Sequence, residues 1–475
     1  MKRVTFAQGC AGVFLLYCLL AAALYGIAGE QFFWRNGQTL SVPESTAGAE
    51  PLSGAHVLEQ SFRLSGGRVD SLAFKPCTYG RENRGELLVE LVNEDGAVLA
   101  GASFNMGQLP DNELVTIPLP EPVKITSGRQ YTLRLSGRDA VPEQAASAVY
   151  DQGASLPDGV LRYDGQELPG ALCIELQQSD ALWLGPHYWQ AVGILGVLLA
   201  GYLFLLCRKK RLGRSGLVLN AIAAFQRYRF LLRQLVARDF KTKYKRSVLG
   251  VLWSFLNPLL TMMVQYIVFS TVFRNDIQNF PAYLLTGVVF FNFFSEACSM
   301  GLMSIVGNAP LLTKVYIPKY IFPVSRVLSS FVNFVLALIP LAAVLLLTGQ
   351  RLSKSFLLLP FSLLCVLVFC MGMALLLSAM MVFFRDVQFL WGVLSMLWMY
   401  ATPIFYPETI IPEQFMVLYK MNPLYHFIRF TRLILLDGVS PEPRAYLLCI
   451  AAAAIPLLLG LALFRKTQDR FVLNI

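Results

Sequence analysis

Residues 238–273 read RDFKTKYKRSVLGVLWSFLNPLLTMMVQYIVFSTVF. Arg238, Lys241, Lys243, Lys245 and Arg246 crowd its start, and no charged residue follows from 247 to 273. A helix needs roughly 20 apolar residues to cross the hydrocarbon core of a bilayer, so this run is long enough to span. Its basic lead-in belongs on the cytoplasmic side, where Lys and Arg beside a span are retained. The stretch therefore reads as the entrance of a chain into a membrane.

Working outward, similar uncharged stretches lie before Glu30 and at 181–207, 277–295, 327–350, 355–384, 387–407 and 445–464, which makes eight candidate spans. Over 475 residues, 55% are apolar and 15% charged, with a mean hydropathy of +0.54. Soluble domains carry about a quarter charged residues. A wholly soluble chain and a disordered one are both excluded. The net charge of +10 is unevenly placed. Residues 208–246 hold thirteen Lys/Arg against the single acid Asp239, whereas 30–182 hold eleven against twenty-one Asp/Glu. The asymmetry puts 208–246, Lys2, Arg3 and the tail with Arg465, Lys466 and Arg470 in the cytoplasm, and residues 31–180 outside. Eight crossings return the chain to its starting side. A cleaved signal peptide is the competing reading of residues 1–30; the long apolar stretch and the lack of a small-x-small site speak against it.

Residues 31–180 follow another period. Tyr131, Leu133 and Leu135 alternate with Thr132, Arg134 and Ser136, and Leu172, Ile174 and Leu176 with Cys173, Glu175 and Gln177. That is the pattern of half-buried strands. Turn residues at 93–96, 110–112, 157–159 and 164–165 separate eight or nine such segments. An antiparallel sandwich of the jelly-roll kind is expected. The pattern is faintly similar to jelly-roll domains that bind carbohydrate. Tyr79, Tyr150 and Tyr163 would either offer rings to sugar or pack the sandwich. Cys77 and Cys173 are the only cysteines of this segment, in a compartment where disulfides persist. They either bridge or stay apart; Cys173 is expected on the strand face opposite Leu172 and Ile174. The nine cysteines of the chain include no CxxC pair, so no zinc or dithiol site is indicated.

Within 208–246 a helical period begins at Ile222. At about 100° per residue, Phe225, Leu232, Leu235 and Val236 fall on one side, and Arg227, Arg233, Arg238 and Lys241 on the other. Such a helix is expected to lie in the interface. Its basic face, continued by Lys243, Lys245 and Arg246, would meet lipid headgroups rather than nucleic acid.

Three motifs carry a resemblance. The first is the run 238–250 with Leu252-Trp253 and Asn257-Pro258. The second is Asn308-Ala309-Pro310-Leu311-Leu312-Thr313-Lys314-Val315-Tyr316-Ile317-Pro318, followed by Phe322-Pro323-Val324-Ser325. The third runs from Phe384-Arg385-Asp386 through Thr402-Pro403-Ile404-Phe405-Tyr406-Pro407 to Asn422-Pro423-Leu424 and Arg432. In order and spacing, residues 225–475 resemble polysaccharide-exporting ABC transporter permeases, which move O-antigen, capsule and teichoic-acid polymers. The resemblance implies a six-span permease core over 247–475, preceded here by spans at 1–30 and 181–207, the inserted all-β domain at 31–180 and the basic segment at 208–246. It also implies that the second motif is the coupling helix that docks on an ATPase subunit. Leu311, Leu312, Val315 and Tyr316 would supply apolar contact, Lys314 and Lys319 polar anchors, and Pro310 and Pro318 the ends. The chain has no GxxxxGK[ST] loop and no Gly-Lys pair to cradle phosphates. ATP and Mg therefore belong to a separate subunit, while this chain holds no cofactor or metal and is no enzyme by itself. Two ATPase copies need two coupling elements, hence a homodimer.

Residues 403–440 are outside by parity and too apolar and proline-rich for a free loop. Short re-entrant helices lining the outer exit are expected there, as in the family. Candidates to face a passing glycan are Trp253, Glu296, Phe389, Trp391, Trp398, Tyr400, Phe405 and Tyr406, the aromatics otherwise being interfacial or packing residues. Glu296 is the one carboxylate deep in a candidate span, either functional or bonded to a neighbouring helix. The implied function is export of a lipid-linked polysaccharide across the bacterial plasma (inner) membrane. The alternatives are export of a smaller lipid or drug by the same fold, a membrane-embedded glycosyltransferase or polymer ligase, and a receptor displaying the sandwich. The enzyme reading needs paired outer carboxylates, and Asp276, Glu408, Glu413, Asp437 and Glu442 form no such pair in sequence.

Overall fold

A computed structural model describes residues 6–54, 56–119, 121–214, 216–245, 247–270, 279–314, 317–350 and 353–474. It divides into two units, Met1–Gln31 with Gln190–Ile475, and Phe32–Trp189. The helices are α1 (Phe6–Ala28), α2 (Leu184–Arg211), α3 (Leu217–Tyr244), α4 (Trp253–Ser270), α5 (Phe280–Leu302), α6 (Ala309–Leu312), α7 (Ile321–Leu347), α8 (Leu359–Phe383), α9 (Val387–Tyr400), α10 (Glu413–Met421), α11 (Pro423–Leu435), α12 (Pro443–Thr467) and α13 (Phe471–Asn474).

Among the described residues, α1, α2, α4, α5, α7, α8 and α12 are long and apolar enough to cross a membrane. The expected eighth span at 387–407 is a correction. Its helix, α9, has 14 residues, a rise of about 21 Å at 1.5 Å per residue, short of the ~30 Å core. Pro403 and Pro407 cannot continue a helix, and the chain turns at Ala401. Helices α10 and α11 follow as a short pair whose connecting residue, Asn422, bonds back to Trp398 and Thr402.

Helix α5 is the most enclosed and packs against α4, α7, α8 and α11. Helices α8 and α12 meet backbone to backbone. A Cβ on Gly372 would lie 2.3 Å from Leu457 N, and one on Gly460 2.3 Å from Gly372 O. Lipid provides no hydrophobic drive between helices, so association relies on such close contact. Helices α1 and α2 run antiparallel: Tyr17 Oη donates to Val192 O at 2.6 Å, and Lys210 Nζ lies 4.0 Å from the Phe6 ring centroid. Leu24 and Ile27 of α1 pack on the bundle core. The first apolar stretch therefore packs as a membrane helix.

The second unit is an antiparallel sandwich. One sheet orders Gln166–Leu168, Leu161–Tyr163, Val57–Arg63, Gln130–Arg138, Glu86–Asn93 and Val98–Asn105. The other orders Trp34–Ser41, Ile174–Ala181, Arg68–Phe74 and Val115–Ile117, with Val123–Lys124 also on Arg68–Phe74. Inward residues of both sheets, such as Leu58, Leu135, Val89, Leu72, Phe74 and Leu176, form one core. Short strands beyond the expected eight or nine, including Ala47–Gly48, Pro76–Cys77, Ser147–Asp151 and Ala171–Leu172, close one end. Outward on the larger sheet, Arg162, Glu59, Arg134 and Glu90 stand opposite one another in register. Arg134 Nε meets Glu59 Oε1 at 2.9 Å. This face carries charge, with no aromatic platform along that register row.

Candidate functional site

Three polar arrangements interrupt the apolar bundle. The first lies among the end of α3, the start of α4, and the facing turns of α5 and α7. Lys243 Nζ donates to Glu296 Oε1 at 2.7 Å, and Asn333 Nδ2 donates to the same oxygen at 3.0 Å. Tyr244 Oη donates to Asn333 Oδ1 at 3.1 Å and also shares a hydrogen bond with Ser254 Oγ. These residues line a cavity of about 300 Å³ together with Trp253, Asn257, Asn292, Phe293 and Phe334. Glu296 is thus bonded to two other helices and also faces open space. The two readings of this residue, structural and functional, are compatible.

A neighbouring cavity of about 660 Å³ shares Lys243, Glu296 and Asn333 and adds Arg238, Asp239, Asn308, Arg326 and Ser329. Asp239, with its side chain only 5% exposed, pairs with Arg326 Nη1 at 3.0 Å and Arg238 Nη2 at 3.1 Å. Leu232 and Leu235 pack on Ile321 at the head of α7. The amphipathic division of α3 holds there; Phe225, two turns before Leu232 on the same side, is exposed at 64%. Arg227, Arg233, Lys241 and Lys245 are exposed; Arg246 lies outside the described residues.

The coupling segment is α6 with its flanks. Val315 and Tyr316 lie outside the described residues. Pro310, Thr313 and Lys314 are exposed, and Leu311, Ile317 and Pro318 are half-buried. Two expected docking residues are corrections. Leu312 is buried against Ile305, Phe322, Leu375 and Phe464. Lys319 Nζ donates to Gln468 O and sits 5.8 Å from the Phe471 ring centroid. In a single turn between two prolines one side must face the bundle, and these side chains occupy it. Asn308 is also inward, donating from Nδ2 to Ser304 O at 2.7 Å.

The third arrangement holds the broken helix. Arg432 is buried and donates from Nη1 to Pro403 O at 2.6 Å, and from Nη2 to Tyr283 O at 3.1 Å and Ile404 O at 3.2 Å. Its guanidinium carbon lies 3.3 Å from the Tyr283 ring centroid. Two of these carbonyls, Pro403 and Ile404, belong to the non-helical stretch after α9, which Arg432 thereby holds. Trp398 Nε1 donates to Asn422 Oδ1 at 2.8 Å, and its ring lies 5.0 Å from that of Phe294. Trp391 is buried and donates to Ser299 Oγ; Phe405 is buried and stacked on Phe269 at 5.4 Å. Tyr406 bonds Tyr400 O and Tyr419 Oη. All four make packing or hydrogen-bonding contacts within the chain, the alternative reading of these aromatics. Phe389, Tyr400 and Trp253 are exposed and remain open to a ligand. Glu408 meets Arg429 Nε at 3.6 Å and accepts from Tyr425 Oη at 3.0 Å.

In the sandwich, Cys77 and Cys173 are unbridged. Cys173 Sγ donates to Glu44 O at 2.8 Å, and burial pushes its thiol up to about 11. The expected exposed face for Cys173 is a correction. The chain changes sheets here, Leu172 pairing with Tyr150 and Ile174 with Phe74, so both sides of Cys173 are covered. Tyr150 packs the core, while Tyr79 and Tyr163 donate to Ala49 O and Pro51 O.

A family model for ABC-2 type transporters matches residues 231–436, the stretch that contains all three arrangements. The O-antigen export system permease protein RfbA of Myxococcus xanthus is 32% identical over 261 residues, which is 54% of this chain and the whole of that relative. This chain is an ABC-2 type transporter permease. RfbA of Klebsiella pneumoniae is 33% identical over 242 residues, 51% of this chain and 93% of the relative. The polysialic acid transport protein KpsM of Escherichia coli is 22% identical over 252 residues, 52% and 98% respectively. With seven helices among the described residues long and apolar enough to span, the permease is a multi-pass inner-membrane protein.

Sequence reasoning missed Arg326, Asn333 and Asn292 as members of these arrangements. Asn292 and Asn333 carry a signal that was available, since each is an uncharged polar residue inside an apolar run. Arg326 stands just past the second motif and gave none beyond its charge.

Proposed function

We propose that this permease exports a lipid-linked polysaccharide across the bacterial plasma membrane, as a homodimer worked by two copies of a separate ATP-binding subunit. The observation that carries this reading is the alignment with the full length of an O-antigen export permease, across the segment that holds the cytoplasmic cavities and the short pair α10 and α11. The exposed side of the coupling segment, with Pro310, Thr313 and Lys314, supports docking of an ATPase. Apolar faces on α4 (Met263, Val264, Ile267) and α9 (Phe389, Val393, Leu397) support a seam with a second copy. Glu408 engages Arg429 and Tyr425 rather than a second carboxylate, which favours transport over glycosyl transfer. Residues 31–180 act outside the cytoplasm on this reading, on emerging polymer or an outer partner.

The test is a strain lacking the permease gene. Lipid-linked glycan should accumulate on the cytoplasmic side and vanish from the surface, and the full chain should restore it. Normal surface glycan without the permease would refute the proposal.

A further inference from the structure

The 300 Å³ cavity among α3, α4, α5 and α7 has more hydrogen-bonding capacity than the fold uses. Lys243, Glu296, Asn333, Tyr244 and Ser254 satisfy one another. The carboxamides of Asn257 and Asn292 line the same space with no hydrogen-bond partner among the described residues. Asn292 and Glu296 stand one turn apart on α5, so they face the same space. Asn257 is exposed and Asn292 half-buried, so both amides are open to a guest.

The chemistry of the wall selects its guest. Among the described residues, Lys243 and Glu296 are the only charged ones in the lining, and they pair. A phosphate or a cation gains little from a balanced pair; a neutral group rich in hydroxyls gains from carboxamides, a carboxylate and a phenol. Trp253 is 45% exposed, and Phe293 and Phe334 add apolar wall, giving the C–H face of a sugar ring surfaces to rest on. The volume is at the low end for small-molecule sites, room for about one ring.

We propose that this cavity is a subsite for a single pyranose, the sugar next to the lipid of the exported glycan. Asn257, Asn292 and Glu296 take its hydroxyls, and Trp253 lies against the ring. The proposal rests on the export reading above, which puts the end of α3, whose Lys243 and Tyr244 line the cavity, on the cytoplasmic side.

The test uses the full chain with its ATPase subunit in lipid nanodiscs. The probes are a polyprenyl diphosphate bearing one N-acetylglucosamine and the same polyprenyl diphosphate without sugar, and the readout is kcat and KM of probe-stimulated ATP hydrolysis. Wild type should show a KM about tenfold lower for the sugared lipid. Asn292→Leu and Trp253→Ala should each erase that difference while leaving the KM for the bare lipid unchanged, and Trp253→Phe should retain it. Size-exclusion profiles and ATPase stoichiometry report whether the variants fold, and Asn257→Leu serves as a second route to the same loss. Equal shifts for both lipids, or no shift for either, overturn the subsite. A wild-type complex that ignores both lipids overturns the export reading, and the subsite with it.

Discussion

Lys243 and Glu296, 53 residues apart in sequence, meet at 2.7 Å and fasten the last turn of α3 to α5. The pair joins the basic segment on the cytoplasmic side to the most enclosed helix of the bundle. A push on α3 therefore reaches the bundle through a side-chain contact, with Arg326–Asp239 as a second fastening onto α7.

Both partners of the Lys243–Glu296 pair are partly exposed, at 43% and 30%, so it contributes at most about 1 kcal/mol to stability. Glu296→Gln should leave the melting temperature nearly unchanged and lower glycan-coupled ATP hydrolysis. The exchange of Lys243→Glu with Glu296→Lys should recover part of the loss. Full coupling in Glu296→Gln would dismiss the link.

Arg432→Met removes the donor to the buried carbonyls of Pro403 and Ile404, at about 1–3 kcal/mol for each left unsatisfied. The variant should insert, yet become sensitive to protease between 401 and 412 and lose transport. Arg432→Lys lacks the planar fork and should rescue little. Limited proteolysis of detergent-solubilised protein gives the answer.

On the coupling segment, Lys314→Glu with Thr313→Asp changes only exposed positions. Co-purification of the ATPase subunit should fall while yield stays normal. Leu312→Asp buries a carboxylate among Ile305, Phe322 and Phe464, and should cut the yield of folded permease itself. An opposite pattern in the two variants would reverse the inward and outward assignment.

Gly372→Val would force a side chain into Leu457 N. Overpacking typically costs about 1–3 kcal/mol, and more where backbone cannot retreat. Separation of α8 from α12 should appear as a lowered melting temperature, and Gly460→Val should behave alike.

For the sandwich, alkylation under denaturing, non-reducing conditions should tag all nine cysteines by mass; seven tags would mean a bridge. Because Cys173 is raised from 9.0 to about 11, its thiol stays neutral in the folded domain while the unfolded chain ionises. Its contribution to stability is therefore complete below pH 9.0 and declines between there and about 11. Thermal melts across that range should slope downward, and less so in Cys173→Ala.

Residues 131–136 announced a strand because one face packs and the other meets water, and Gln130–Arg138 pairs as that alternation requires. Residues 387–407 announced a span from hydropathy, and the break at Ala401 was hidden, because a window average does not register where a proline halts a helix. Leu312 illustrates the same limit: its apolar character suited a docking surface and a core equally well.

The sequence by itself determined that this chain lives in a membrane and where strands replace spans. Those properties depend on transfer of local stretches between water and lipid and on charge beside them, both additive along the chain. Only the tertiary structure decided that Glu296 answers Lys243, that Arg432 answers the carbonyl of Tyr283, 149 residues away, and which side of α6 turns inward. Such meetings depend on the angles and depths at which helices pack, and no linear spacing of residues contains them.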